Sequence, residues 1–281
     1  MRIGIISAMD SEHRRLAGRL VGATTVVDGS LHYVVGRLGA NELVLTQCGI
    51  GKVHAAVGTA ELIRRYRPGC VVSTGVAGGI DPALRVADVV VSRQVVYHDV
   101  WCGEGCAPGQ VQGLPLYFDG CGSLVDLALG LNPTPALADA SPHCPADASS
   151  HCPTDASVLC STSTPVPCTD ESPAAGGAAP GLLCPRIHAG LICTGDRFIT
   201  DRAELEAIKR QFPQGLAVDM ESAAIAQTCH LYGTPFISFR IISDTPGIDN
   251  HLAQYADFWG ALADRSFATT WAFLSALPDG L

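Results

Sequence analysis

Three acids in this chain each stand just past an apolar run: Glu12 beyond RIGII, Glu221 beyond GLAV, and Asp244 beyond PFISFRII. A carboxyl group at the end of a buried strand is partly desolvated, which disfavours its charged form and raises its pKa. Such a group can hold and deliver a proton near neutrality, so Asp244 is the leading candidate for an acid, with capping of a following helix as its structural alternative. Glu221 opens a predicted helix, whose dipole would by itself stabilise a carboxylate there. If the strands run parallel, all three acids reach one rim. Converging carboxylates suit an electron-poor, sugar-like transition state.

The other polar groups worth attention also follow apolar runs. They are SAMDSE (Ser7 to Glu12), GIGK (Gly49 to Lys52), STGVAGG (Ser73 to Gly79), TGDRF (Thr194 to Phe198), VDMES (Val218 to Ser222) and RIISD (Arg240 to Asp244). In α/β sheets ligands collect at strand ends, which is where these segments fall. GIGK and GVAGG match neither the phosphate-cradling loop nor the dinucleotide fingerprint, so tight turns explain them equally well.

The elements that must position these groups alternate. Strands are expected at Arg2 to Ile6, Glu42 to Gln47, CVVSTG, 87–96, 187–193, 215–218 and 235–242. Helices are expected near Asp10 to Leu20, over GIGKVHAAVGTAELIRRY, and at 202–211, 220–232 and 255–276. The pattern predicts a single three-layer α/β domain, a mixed but mostly parallel central sheet, barrel-like in part, flanked by helices.

The chain has 281 residues, 47% of them apolar, and a formal net charge of -9. That acidic balance offers no basic face to a phosphate backbone, so nucleic acid is not an expected partner. No apolar run is long enough to cross a bilayer and the amino terminus reads as a strand, so no membrane partner and a cytoplasmic location are expected. Of the twelve cysteines, Cys48, Cys70, Cys193 and Cys229 lie in apolar runs as small core residues, while Cys144, Cys152, Cys160 and Cys168 recur every eight residues in a polar segment. That segment, about 132–183, reads as a low-complexity insertion in one 1–281 domain: ADASPHCP (Ala138 to Pro145) is followed directly by ADASSHCP (Ala146 to Pro153). His143, Cys144, His151 and Cys152 are zinc-ligand types, but their spacing is the repeat period, and no metal is expected.

SAMDSE, CGIGKVHAA, STGVAGG, YHD, TGDRFI, VDMESAAIA and RIISD, in that order, resemble the 5'-methylthioadenosine/S-adenosylhomocysteine nucleosidases of the nucleoside phosphorylase superfamily. The resemblance covers nearly all of 1–119 and 186–281. It implies a nucleoside phosphorylase-like fold, a small-molecule nucleoside as substrate, no cofactor, and a homodimer. By the same resemblance Asp244 protonates N7 of adenine and accepts from its exocyclic amine, Glu12 activates the attacking water, and Glu221 binds the ribose hydroxyls with Met220 packed beneath the sugar. Phe198 stacks on the base and the Ile199 backbone helps read its edge. Ile50 and the Ala77-Gly78 backbone line the same pocket, Ser243 belongs with the substrate-binding residues, and Arg240 lies near Glu12. Position 76 is Val where some members carry a hydroxyl residue, and the loop after YHD, Val100 to Gly113, carries unusual cysteines. Alternatives are a phosphorylase, which Glu12 opposes because an acid repels phosphate; a nucleosidase for futalosine or a nucleotide; and a non-catalytic nucleoside-binding protein.

Overall fold

The structure is a computed structural model and describes residues 1–133 and 185–280. The repeat insertion, with its histidines and cysteines, lies outside the described residues. Before it come β1 (Arg2–Ser7), α1 (Asp10–Ala17), β2 (Val21–Asp28), β3 (Leu31–Leu38), β4 (Asn41–Gln47), α2 (Lys52–Tyr66), β5 (Cys70–Gly79), β6 (Val89–Tyr97), β7 (Phe118–Asp119) and α3 (Gly122–Leu129). After it come β8 (Ile187–Thr194), α4 (Arg202–Gln211), β9 (Gly215–Asp219), α5 (Ser222–Tyr232), β10 (Phe236–Asp244), α6 (His251–Asp257), a π-helical turn at Phe258–Leu262, and α7 (Ala263–Ala276).

Strands β10, β6, β8, β9 and β5 follow one another in the sheet, and β5 also pairs with β10, so these five close into a barrel. β1, β4, β3 and β2 continue outward from β5. The expected mostly parallel sheet is corrected. β1–β4, β1–β5, β5–β10, β6–β8 and β8–β9 are parallel, whereas β2–β3, β3–β4, β5–β9, β6–β7 and β6–β10 are antiparallel. Two sources account for the difference. The β2–β3 hairpin was not expected, because β2 is exposed along almost its whole length and carries no apolar stripe for a pattern to reveal. Barrel closure also joins two parallel groups edge to edge with opposite senses.

Helices cover both faces. Leu16 of α1, Leu124 of α3 and Phe267 and Phe273 of α7 share one core, where Phe273 stacks on Phe239 of β10 at 5.0 Å between ring centres. Leu62 of α2 and Ala223 and Cys229 of α5 pack into the other. The expected core cysteines Cys48, Cys70, Cys193 and Cys229 are buried, and burial pushes the first three thiols up to about 12. They behave as core filler, not as nucleophiles.

Two details of β5 and β10 position the site. β5 outruns β1: Ile6 is level with Ser73, but β5 continues to Gly79, so Gly75–Gly79 form an extension beyond β1 that pairs instead with β10 and β9. On that extension the register with β10 slips between Ile242 and Asp244. A bulge of this kind re-aims a side chain, here Ser243 and Asp244, at a point where the ladder would otherwise hold it.

Candidate active site

A cleft opens over the β5 extension. Glu12, Ile50, Ala77, Gly78, Phe198, Ile199, Met220, Glu221, Ser243 and Asp244 line it, so ten of the eleven sequence-predicted site residues share one cavity. The eleventh, Arg240, lies beneath the floor. Ala8, Met9, Val76, Arg197, Val218, Asp219, Pro246 and Tyr255 complete the wall; none was named as a site residue from the sequence, although Val76 was singled out as a departure. Tyr255 comes from α6, which the sequence pattern started four residues late.

Glu12 and Asp244 arrive as parallel strands require, because β1, β5 and β10 run the same way. Glu221 does not. It follows β9, which is antiparallel to β5 and pairs Val218 with Gly78 and Ala217 with Gly79. The expectation of three parallel strand ends is therefore corrected: the acids meet because β9 crosses back over the β5 extension from the other side.

Glu12, in the first turn of α1, accepts from the backbone N–H of Ala8 at 3.1 Å, Met9 at 3.0 Å and Val76 at 3.1 Å. The contact at position 76 is made by the backbone, so the valine side chain costs Glu12 nothing. Three fixed donors favour the carboxylate, and so does Arg240, but burial is the larger influence and the Glu12 pKa is raised. Glu221 occupies the N-cap position of α5 without making a cap hydrogen bond. Its Oε1 accepts from Gly51 N–H at 3.0 Å, and its Oε2 lies 3.8 Å from Arg240 Nη2. Burial raises its pKa too, against the pull of Arg240.

Asp244 caps no helix; the N-cap of α6 is Asn250. Among the described residues its only side-chain hydrogen-bond partner is Ser243, whose Oγ stands 2.7 Å from Oδ1 and 3.3 Å from Ala77 O. Burial raises its pKa, opposed only by that hydroxyl and by the more distant charge of His251. An acid in such surroundings is disposed to keep its proton.

Arg240 is 2% exposed and binds Asp219 Oδ2 at 2.7 Å through Nε and Ser73 Oγ at 3.0 Å through Nη2. Asp219 also accepts from Thr194 Oγ1 at 2.6 Å and from Ser222 Oγ. A Cβ on Gly75 would stand 2.5 Å from Arg240 Nη1 and 2.7 Å from Glu12 Oε1, so the two charged groups meet where only glycine leaves room. One buried cation thus serves Glu12, Asp219 and Glu221. When these are ionised the floor carries net negative charge, which favours a substrate that becomes cationic. Asp219 stood inside the VDMES segment, but nothing local distinguishes a strand-end aspartate that binds substrate from one that holds an arginine.

Phe198 is 49% exposed at the mouth, its ring edge-on to Tyr255 at 5.6 Å. It presents a flat apolar surface beside Asp244, Met220 and the Ala77-Gly78 backbone, a combination suited to an aromatic base joined to a polar ring.

A family model described as "Phosphorylase superfamily" matches residues 2–275, and the chain belongs to that superfamily. A 5'-methylthioadenosine/S-adenosylhomocysteine nucleosidase of Chromohalobacter salexigens is 36% identical over 256 residues, 91% of this chain and 89% of the relative. The S-adenosylhomocysteine nucleosidase of Streptococcus pyogenes, solved with 5-methylthiotubericidin, superposes with a TM-score of 0.76 at 32% identity, covering 99% of this chain and 98% of its own. The nucleosidase of Colwellia psychrerythraea, solved with adenine, gives 0.77 at 30% identity, covering 100% and 97%. Within the superfamily, the chain belongs to the 5'-methylthioadenosine/S-adenosylhomocysteine nucleosidases.

Proposed function

We propose that this protein hydrolyses the N-glycosidic bond of 5'-methylthioadenosine, S-adenosylhomocysteine or both, releasing adenine. The observation that carries the proposal is the meeting of three buried acids in unlike surroundings beside an aromatic platform. Adenine is a poor leaving group as an anion. Asp244 gives its proton to N7 as the C1'–N9 bond breaks, so the base departs neutral; general acid help of this kind is typically worth roughly 10²–10⁴-fold. Positive charge grows on the ribose as the bond lengthens, and Glu221 and Glu12 stabilise it in a water-poor cleft. Glu12 then takes a proton from the water whose oxygen bonds to C1', and attack from the face opposite the base inverts that carbon.

In this reading Phe198 stacks on adenine, Ile199 reads its edge through the backbone, Met220 lies under the sugar, Glu221 takes the ribose hydroxyls, and Ile50, Ala77, Gly78 and Ser243 complete the pocket. Arg240 holds Glu12 and Glu221 from below. Proton transfer and carboxylate stabilisation account for the chemistry without a metal or an organic cofactor. Phosphate is disfavoured as the nucleophile because Glu12 stands in its place and Arg240 is already bound to Asp219 and Ser73.

The protein further works as a cytoplasmic homodimer and as one domain interrupted at about 132–183. Val53 and Val57, one turn apart on α2 and 74% and 53% exposed, support the dimer as an apolar surface beside the site. Adenine release from methylthioadenosine, S-adenosylhomocysteine, inosine and adenosine, each with and without phosphate, tests the activity. Release from one or both thio-nucleosides, indifferent to phosphate, is expected. Phosphate-dependent release, or tight binding without turnover, would overturn the proposal.

A further inference from the structure

Three of the sequence segments that end at the cleft are tied together by charges that the chemistry does not use. Lys52, first residue of α2, donates through Nζ to both oxygens of Asp99 at 2.8 Å and lies 3.7 Å from Asp196 Oδ2. Its backbone N–H donates to Asp196 Oδ1 at 2.7 Å, and Asp196 N–H donates to Asp99 Oδ2 at 2.8 Å. The ammonium also sits 5.5 Å from the centre of the Tyr97 ring. These contacts join the GIGK turn, the YHD segment and the TGDRF segment in a closed circuit.

The circuit replaces a missing cap. The N-cap of α2 is Gly51, which has no side chain to satisfy the free N–H groups of the first turn. Asp196 supplies the acceptor from another segment, in the place where the helix dipole favours an anion. Gly51 itself has a φ of 94°, and a Cβ there would come within 3.1 Å of Asp196 Oδ1, so the turn is shaped to let the carboxylate approach. Its N–H is the donor to Glu221 Oε1. Two residues beyond Asp196 stands Phe198, and directly before Gly51 stands Ile50. Asp99, which burial would raise, is held below the ordinary carboxylate range by the Lys52 and Asp196 hydrogen bonds, so its carboxylate stays ionised at neutral pH.

We propose that Lys52, Asp99 and Asp196 form a positioning clamp that fixes the Gly51 N–H against Glu221 and holds Ile50 and Phe198 at the cleft. The proposal rests on the nucleosidase reading for its kinetic consequence but not for its structural one. Without Lys52, Asp99 and Asp196 repel each other, the GIGK turn and the TGDRF segment part, and substrate must reassemble them on binding.

Lys52→Met, Lys52→Arg and Asp99→Asn test it, through hydrogen exchange of segments 49–52 and 195–199, melting temperature, and KM and kcat for adenine release. Lys52→Met is expected to speed exchange in both segments together and raise KM roughly fivefold to tenfold with a smaller fall in kcat, as lost pre-organisation of a binding site would. Asp99→Asn should act in the same direction, and Lys52→Arg should restore most of the loss while the melting temperature stays near that of the parent. Unchanged exchange in either segment, or changes in KM and kcat that follow only the loss of thermal stability, would overturn the clamp. Parent protein that releases no adenine would overturn the nucleosidase reading instead, while the exchange data still judge the clamp.

Discussion

Glu12 and Asp244 are each 2% exposed and line the same cleft, yet their surroundings differ in kind. Glu12 receives three backbone N–H groups, none of which can accept a proton, and faces the Arg240 guanidinium. Asp244 has one rotatable hydroxyl and, among the described residues, no ion pair. Burial raises both pKa values, so desolvation alone cannot divide labour between them. The donors do: in the proposed mechanism, fixed N–H groups and a cation suit Glu12 to the base's role, and their scarcity suits Asp244 to that of the acid.

The sharpest way to break this comparison is Asp244→Asn, which keeps the shape and removes the transferable proton. We expect a loss in kcat of roughly 10²–10⁴-fold with the fold intact by circular dichroism. Retention of activity would end Asp244's claim to be the acid. Arg240→Met attacks the other side. It leaves Glu12, Asp219 and Glu221 without their shared cation, and removing one partner of a buried pair costs about 3–5 kcal/mol. Chemical denaturation should show that loss, and the acid limb of the kcat/KM profile should move to higher pH as Glu12 loses the charge that stabilises its ionised form.

pH dependence of the parent protein sharpens the same contrast. Activity should fall on the acid side as Glu12 takes up a proton, and on the alkaline side as Asp244 loses one, each at a pH above the usual carboxylate range. Stability has a definite sign. A carboxyl whose folded pKa is raised binds more protons folded than unfolded, so its contribution is whole below its ordinary value and drains away as pH rises through the folded one. Asp244→Asn should therefore flatten the decline of melting temperature from pH 5 to pH 8; a steeper decline would contradict the raised value. The smallest effect is expected from replacing residues 134–184 by a short glycine-serine link. Asn132 and Ile187 exchange hydrogen bonds at 2.9 and 2.8 Å across the neck of the insertion, so the two sides of the fold are already joined without it. Adenine release within about twofold of the parent is expected, in keeping with the small entropic effect of changing a loop's length. A collapse of activity would show that the interruption belongs to the domain.

Much of the site was legible because its signals are local. Apolar runs ending in Glu12 and Asp244 mark buried strands with an acid at the exit, and both acids sit in the cleft. The glycines of STGVAGG stand at crowded backbone: a Cβ on Gly75 would strike Arg240 and one on Gly78 would strike Pro246. Asp219, Tyr255 and the contacts of Lys52 with Asp99 and Asp196 were not legible. Asp219 matters only because Arg240 of another strand lies 2.7 Å away, and Tyr255 reaches the cleft only through the path of α6. The hairpin of β2 and β3 was missed because an exposed strand shows no hydrophobic period.

The sequence by itself determined most of the buried strands and their helices and which residue types could move a proton, because burial preference and turn chemistry are properties of short stretches. Tertiary structure alone decided which five strands close the barrel, that Glu221 arrives on an antiparallel strand, and that one arginine serves three acids. The physical reason is sequence distance. The Gly51 N–H that orients Glu221 lies 170 residues from it in the chain. A contact that far apart is fixed by strand register and packing, which no local pattern encodes.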